Sequence, residues 1–144
     1  MTPIPPKCFK EKGHKGRMLV CEERRRRMVF CKPEGCAADK IQVDGCVLPH
    51  GPACDYLVCD WKGRHHFVEL KGKHDEEALK QIEATIPHFV AAGSKVTIWC
   101  FVIGSGSSPA TLPGMQSRKR SIRRRWQNAK IVVRTNVCQH LLSA

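Results

Sequence analysis

The chain has 144 residues, 42% of them hydrophobic, and a formal net charge of +12. That length accommodates one domain with a core of its own, and the longest apolar run, Val96 to Ile103, is far too short to cross a bilayer. Nine cysteines, an odd count with no CxxC pair and no zinc-ligand spacing, and no signal-peptide pattern in the opening residues lead us to expect reduced thiols in a cytoplasmic protein.

The charge is unevenly spread. All 13 acidic residues lie at or before Glu83, whereas Lys95, Arg118, Lys119, Arg120, Arg123, Arg124, Arg125, Lys130 and Arg134 follow it. Such asymmetry points to a polyanionic partner. A membrane surface fits poorly, because the basic segment lacks the broad apolar face of an interfacial helix.

Met1 to Gly16 is rich in Pro, Lys and Gly without periodicity and reads as a loosely held arm. Met28 to Cys31 reads as a strand, and Met18 to Cys21 is an apolar run without a decisive pattern. Arg24 to Arg27 between them suit either phosphate contact or a solvated turn. Ile41 to Leu48 alternates as a strand, with Asp44 either a further site residue or a bulge former beside Gly45. Pro49 to Pro52 turns the chain into a strand from Cys54 to Cys59.

A turn over Asp60 to Arg64 returns the chain as a strand in which Phe67, Glu69 and Lys71 share one face and Val68 and Leu70 the other. The hairpin sets Asp55 opposite residues near Glu69, where paired Cβ atoms lie roughly 5 Å apart. Two carboxylates and an ammonium so placed suit a hard cation. His65 and His66 read as solvated tip residues, and His50, His74 and His88 fit no ligand spacing.

From Asp75 an apolar stripe, Leu79, Ile82, Ile86, Phe89 and Val90, predicts a helix that Pro87 kinks or splits and Gly93 ends. Gln81 lies off that stripe, where it either faces the Lys71 end of the strand or is plainly exposed. Lys95 to Ile103 reads as a buried strand, Gly104 to Gly114 as a flexible loop, and Arg118 to Lys130 as a basic helix with Ile122 and Trp126 on one face, Trp126 being either a core anchor or a base-stacking wedge. Ile131 to Arg134 is a last short strand.

Asp55, then Glu69-x-Lys71, then Gln81 on a helix, together with VDGC (Val43 to Cys46), CDYLV (Cys54 to Val58) and FVELKG (Phe67 to Gly72), resembles the PD-(D/E)XK nuclease superfamily, in its small bacterial or phage members. The resemblance covers roughly Lys40 to Phe101. It implies an α/β restriction-endonuclease-like core, a mixed central sheet of four to five strands flanked by helices, in one domain spanning residues 1–144. It further implies Mg²⁺, with Mn²⁺ as substitute, held by Asp55, Glu69 and the Leu70 carbonyl, and Lys71 and Gln81 completing the catalytic set. The expected activity is phosphodiester hydrolysis in nucleic acid, with DNA as the substrate class, endonucleolytic cleavage as the reaction and a homodimer as one arrangement. Arg118, Lys119, Arg120, Arg123, Arg124, Arg125 and Lys130 would grip the backbone. Many members carry a Glu on a helix before the first strand; here Glu22, Glu23 and Glu34 compete for that position. A nucleic-acid-binding protein that keeps the fold without catalysis is the alternative.

Overall fold

The computed structural model describes residues 1–70, 75–104 and 113–143. In chain order these build β1 (Phe9–His14), β2 (Met18–Glu23), β3 (Arg26–Cys31), β4 (Ala38–Gln42), β5 (Tyr56–Cys59), β6 (His65–Glu69), α1 (Asp75–Thr85), β7 (Ile98–Gly104), α2 (Pro113–Arg125), β8 (Ala129–Thr135) and β9 (Val137–Leu141). Six strands form one sheet in the order β1-β4-β5-β6-β7-β8, and β2-β3-β9 form a second. The first four strands of the large sheet are antiparallel neighbours. From β6 onward pairing is parallel, with α1 and α2 as the crossovers.

Both faces of the large sheet are covered, which explains why β7 reads as an unbroken apolar run. Phe67, Leu57, Cys100 and Val102 pack under Leu79, Ile82, Met115, Ile122 and Trp126 of the helical layer. Val58, Val68, Leu70 and Phe101 pack against Leu19, Met28, Phe30 and Cys138 of the small sheet. Trp126 is a core anchor, 1% exposed, and its indole N–H donates to the carbonyls of Val90 and Ala91.

The expected mixed α/β architecture is present, but the central sheet has six strands, not four to five, and a second sheet lies behind it. Two segments account for the difference. Residues 9–14 are not a loose arm: they pair with β4 as an edge strand whose register slips twice, and that irregularity erased the alternation in the sequence. Cys8, fully buried, is disulfide-bonded to Cys46 and pins the start of this strand, so the thiols are not all reduced. β9 pairs in parallel with β3, more than 100 residues away in sequence, a non-local match that no local pattern reveals. The strand expected over Ile41 to Leu48 is shorter; the chain leaves β4 at Gln42 and turns through Gly45, whose φ of 75° is open to glycine.

The α1 helix stops at Thr85, ahead of Gly93, and continues as a 3₁₀ turn over Ile86–His88 because Pro87 has no N–H to extend the ladder. The basic helix spans Pro113–Arg125, so it begins earlier and ends sooner than expected. Of the flexible loop read between Gly104 and Gly114, residues 105–112 lie outside the described residues. No helix among the described residues is long and apolar enough to cross a membrane.

Candidate active site

The β5–β6 hairpin sets the geometry. Its register pairs Tyr56 with Val68, so Asp55, one residue earlier, faces Glu69, one residue later. Phe67 packs toward the helices and Val68 toward the small sheet, which puts Glu69 on the helical side as alternation requires. Both carboxylates are buried, Asp55 at 5% exposure and Glu69 at 1%. Asp55 Oδ2 accepts the main-chain N–H of Leu70 at 2.7 Å. Leu70 is thus tied to Asp55 through its amide. Lys71 lies outside the described residues.

Further polar groups gather at this end of the sheet. Glu23, Gln42, Asp44, Asp55 and Tyr56 line one cavity of about 280 Å³. Of the three competing upstream acids, Glu23 is therefore the one beside Asp55. It comes from the end of strand β2 in the small sheet, not from a helix. Glu22 instead pairs with Arg27, and Glu34 with Arg17. Asp44 joins the cavity from the turn after β4, where the Gln42 side chain donates to its carbonyl at 3.1 Å. Among the described residues no three His, Cys, Asp or Glu groups close around a single metal position.

Cys54 lies close to both carboxylates. Burial, then the charges of Glu69 and Asp55, push its thiol well above the ordinary cysteine range, so it stays protonated. Its N–H donates to Thr85 Oγ1 at 2.9 Å, and the same hydroxyl donates to the Gln81 carbonyl at 2.7 Å. Helix α1 is thereby coupled to the residue preceding Asp55. Gln81 itself is half-buried, and this link uses its main chain.

The basic residues separate into two groups. Arg24 and Arg25 form the exposed tip of the β2–β3 hairpin, directly after Glu23, so the tip adjoins the acidic cavity. Arg24 holds φ 55°, a left-handed backbone uncommon for a side chain of its size. By contrast, Arg124 and Arg125 line another cavity with Gly93, Ser94 and Lys95, ahead of β7, whereas Glu69 pairs with Val102 near the other end of that strand. The Arg125 carbonyl accepts from Gly93 N–H, which fixes that placement.

Arg118 and Arg125 also serve the fold. With Ser121 they converge on Glu83 of α1, at 2.9 Å, 3.2 Å and 2.5 Å respectively. Burial raises the Glu83 pKa, but the Ser121 and Arg118 hydrogen bonds, with Arg125, more than offset it and leave it lowered. Lys119 is half-buried, while Arg120, Arg123 and Lys130 are exposed. The structure does not gather this basic set around the carboxylates.

The solvated-tip reading fails for His66. It is fully buried under the small sheet, Nδ1 against the Val58 carbonyl at 3.0 Å, amid Phe30, Phe101 and His140. The sequence offered one signal: His66 shares its strand face with Val68. No protein-family model, curated protein or solved structure matches the chain.

Proposed function

We propose that the protein is a metal-dependent nuclease that hydrolyses phosphodiester bonds in nucleic acid, with DNA as its substrate. The single observation that carries this reading is the facing pair Asp55 and Glu69, both buried at the open end of a hairpin, with Asp44 and Glu23 on the cavity that Asp55 lines. Magnesium retains several waters and asks for one or two protein carboxylates plus phosphate oxygens, so a two-carboxylate site fits it. Asp55, Glu69 and the Leu70 carbonyl would hold the ion, with Glu23 or Asp44 reaching it through water. When bound, the ion polarises the phosphodiester and acidifies a water molecule.

The chain's own groups do the rest. The Leu70 amide orients the Asp55 carboxylate, and Thr85 ties α1 to the neighbouring Cys54. Lys71 is assigned to the attacking water and to the charge developing on phosphorus. Gln81 completes the set from α1. Arg24 and Arg25 hold the backbone beside the site, and the basic residues from Arg118 to Lys130 engage it farther away. A fold-keeping binding protein without catalysis is the second reading, favoured by the absence of a closed three-ligand group among the described residues.

Incubation of the purified chain with Mg²⁺ or Mn²⁺ and linear, circular, single-stranded and branched DNA, and with RNA, tests the proposal. Cleavage that needs the cation and disappears in Lys71→Met supports it. Binding without cleavage of any substrate establishes the second reading.

A further inference from the structure

A second polar cavity, about 260 Å³ in volume, lies on the small-sheet face of the large sheet, at the start of β6 and away from the carboxylates at its end. Its floor is a cross-strand row. His66 pairs with Trp99, and Trp99 with Lys130, so an imidazole, an indole and an ammonium stand side by side on β6, β7 and β8. The row spans two inter-strand steps, about 10 Å. His140 of β9 closes over it, its ring centroid 4.3 Å from that of Trp99. Arg64 forms the rim, fixed by Asp60 at 2.5 Å and by the Ser143 carbonyl at 2.7 Å.

One atom in this cavity is chemically unfinished. His66 Nδ1 donates to Val58, which in a neutral ring makes Nε2 an acceptor. Nε2 is buried and has no hydrogen-bond partner among the described residues; Asp60 Oδ2 stands 3.8 Å away. A buried polar atom left unsatisfied costs stability unless something occupies the site. The missing group must donate a hydrogen bond. Around it are an aromatic plate, half-exposed Trp99, and an exposed cation, Lys130, whose Nζ sits 4.9 Å over the indole.

We propose that this cavity binds a nucleoside monophosphate unit, its base N–H donating to His66 Nε2, its ring against Trp99 and His140, and its phosphate on Lys130 and Arg64. The row matches such a unit in length from base edge to phosphate and in the order of chemistries along it. Stacking on indole is tolerant of base identity, so discrimination falls to the His66 acceptor. The unit is either a free nucleotide or the phosphorylated end of a strand. This inference does not depend on the carboxylate site, which lies at the other end of β6.

Calorimetry of the full chain in EDTA tests it without interference from cleavage. The probes are adenosine 5′-monophosphate, adenosine, ribose 5-phosphate, inorganic phosphate, and a short single strand with and without a 5′-phosphate. The monophosphate should bind at least about tenfold tighter than adenosine, ribose 5-phosphate or phosphate. Lys130→Ala should weaken the monophosphate about tenfold and adenosine little, while Trp99→Leu should weaken both. Lys130 is exposed, so its loss does not threaten the fold, and circular dichroism verifies both variants. Tighter binding of the phosphorylated strand than of the free monophosphate assigns the site to strand ends; the reverse assigns it to free nucleotide, and both support the proposal. No heat from monophosphate or phosphorylated strand at millimolar concentration, phosphate binding as tightly as the monophosphate, or unchanged affinity in both variants overturns it.

Discussion

The amide of Leu70 donates to Asp55 across 2.7 Å, so the residue that follows one site carboxylate orients the other. A hydrogen bond from main chain to carboxylate restricts its rotamers. The hairpin thus delivers Asp55 and Glu69 as a fixed pair.

Removing one charge from that pair should abolish the proposed reaction and spare binding. Asp55→Asn and Glu69→Gln each keep size and one acceptor oxygen while deleting a formal charge, and should reduce cleavage by on the order of 10² to 10³. DNA affinity should hold or rise as repulsion of phosphate falls. Gel-based cleavage and fluorescence anisotropy measure the two quantities, and wild-type cleavage in either variant would end the assignment.

The two groups of arginines separate in their salt dependence. If Arg24 and Arg25 each neutralise one phosphate, Arg24→Gln with Arg25→Gln should flatten the slope of log affinity against log salt by about 2 units. Arg123→Gln, Arg124→Gln and Arg125→Gln together should change it by about 1 unit or less. Successive helical side chains diverge by about 100°, and Arg125 is engaged with Glu83. An unchanged slope in the double variant places the nucleic acid elsewhere.

Glu83 should act as a pH-dependent clamp between α1 and α2. Its carboxyl titrates lower in the folded chain than in the unfolded one, so its contribution is fully present above the ordinary Glu range and fades as pH falls through the folded value. Glu83→Gln should cost about 1 to 2 kcal/mol at pH 7 and less in acid. Urea melts at pH 7 and pH 3.5 measure both; equal losses at the two pH values refute the clamp.

His66 gives a second acid sensitivity with another cause. Burial drives its pKa from 6.5 down to about 4, against opposing effects of the Val58 carbonyl and Asp60, with His140 and Arg64 adding to the depression. The unfolded chain therefore binds this proton more readily, and stability should be full above pH 6.5, then decline toward pH 4 by up to roughly 3 kcal/mol. In His66→Phe the decline between pH 6.5 and 5 should shrink to the smaller part left by His65 and His140, which burial also depresses. The same slope in both proteins would assign the sensitivity to other groups.

Reduction of the Cys8–Cys46 bond should loosen the edge of the large sheet. The bond closes a separation of 38 residues, for which chain entropy gives an upper estimate of roughly 4 kcal/mol. Cys8→Ser should lower the melting temperature and speed amide exchange in β1 first. Unaltered exchange there would mean that strand pairing alone holds the edge.

The hairpin, the facing of Asp55 and Glu69, the α1 stripe, the buried β7 strand and the pairing of Ile122 with Trp126 on one helix face are legible in the chain alone. Each follows from periodicity or from a turn of fixed length, both local properties of the chain. Which upstream acid approaches Asp55 depends on how the two sheets pack, because Glu23 arrives on a strand of another sheet and no spacing distinguishes it from Glu22 or Glu34. Tertiary structure also decided that Arg118 and Arg125 brace Glu83, that β1 and β9 are strands, and that His66 is enclosed. Those outcomes depend on pairing between segments far apart in sequence, where the energy comes from burial and hydrogen bonds that exist only once the layers have come together.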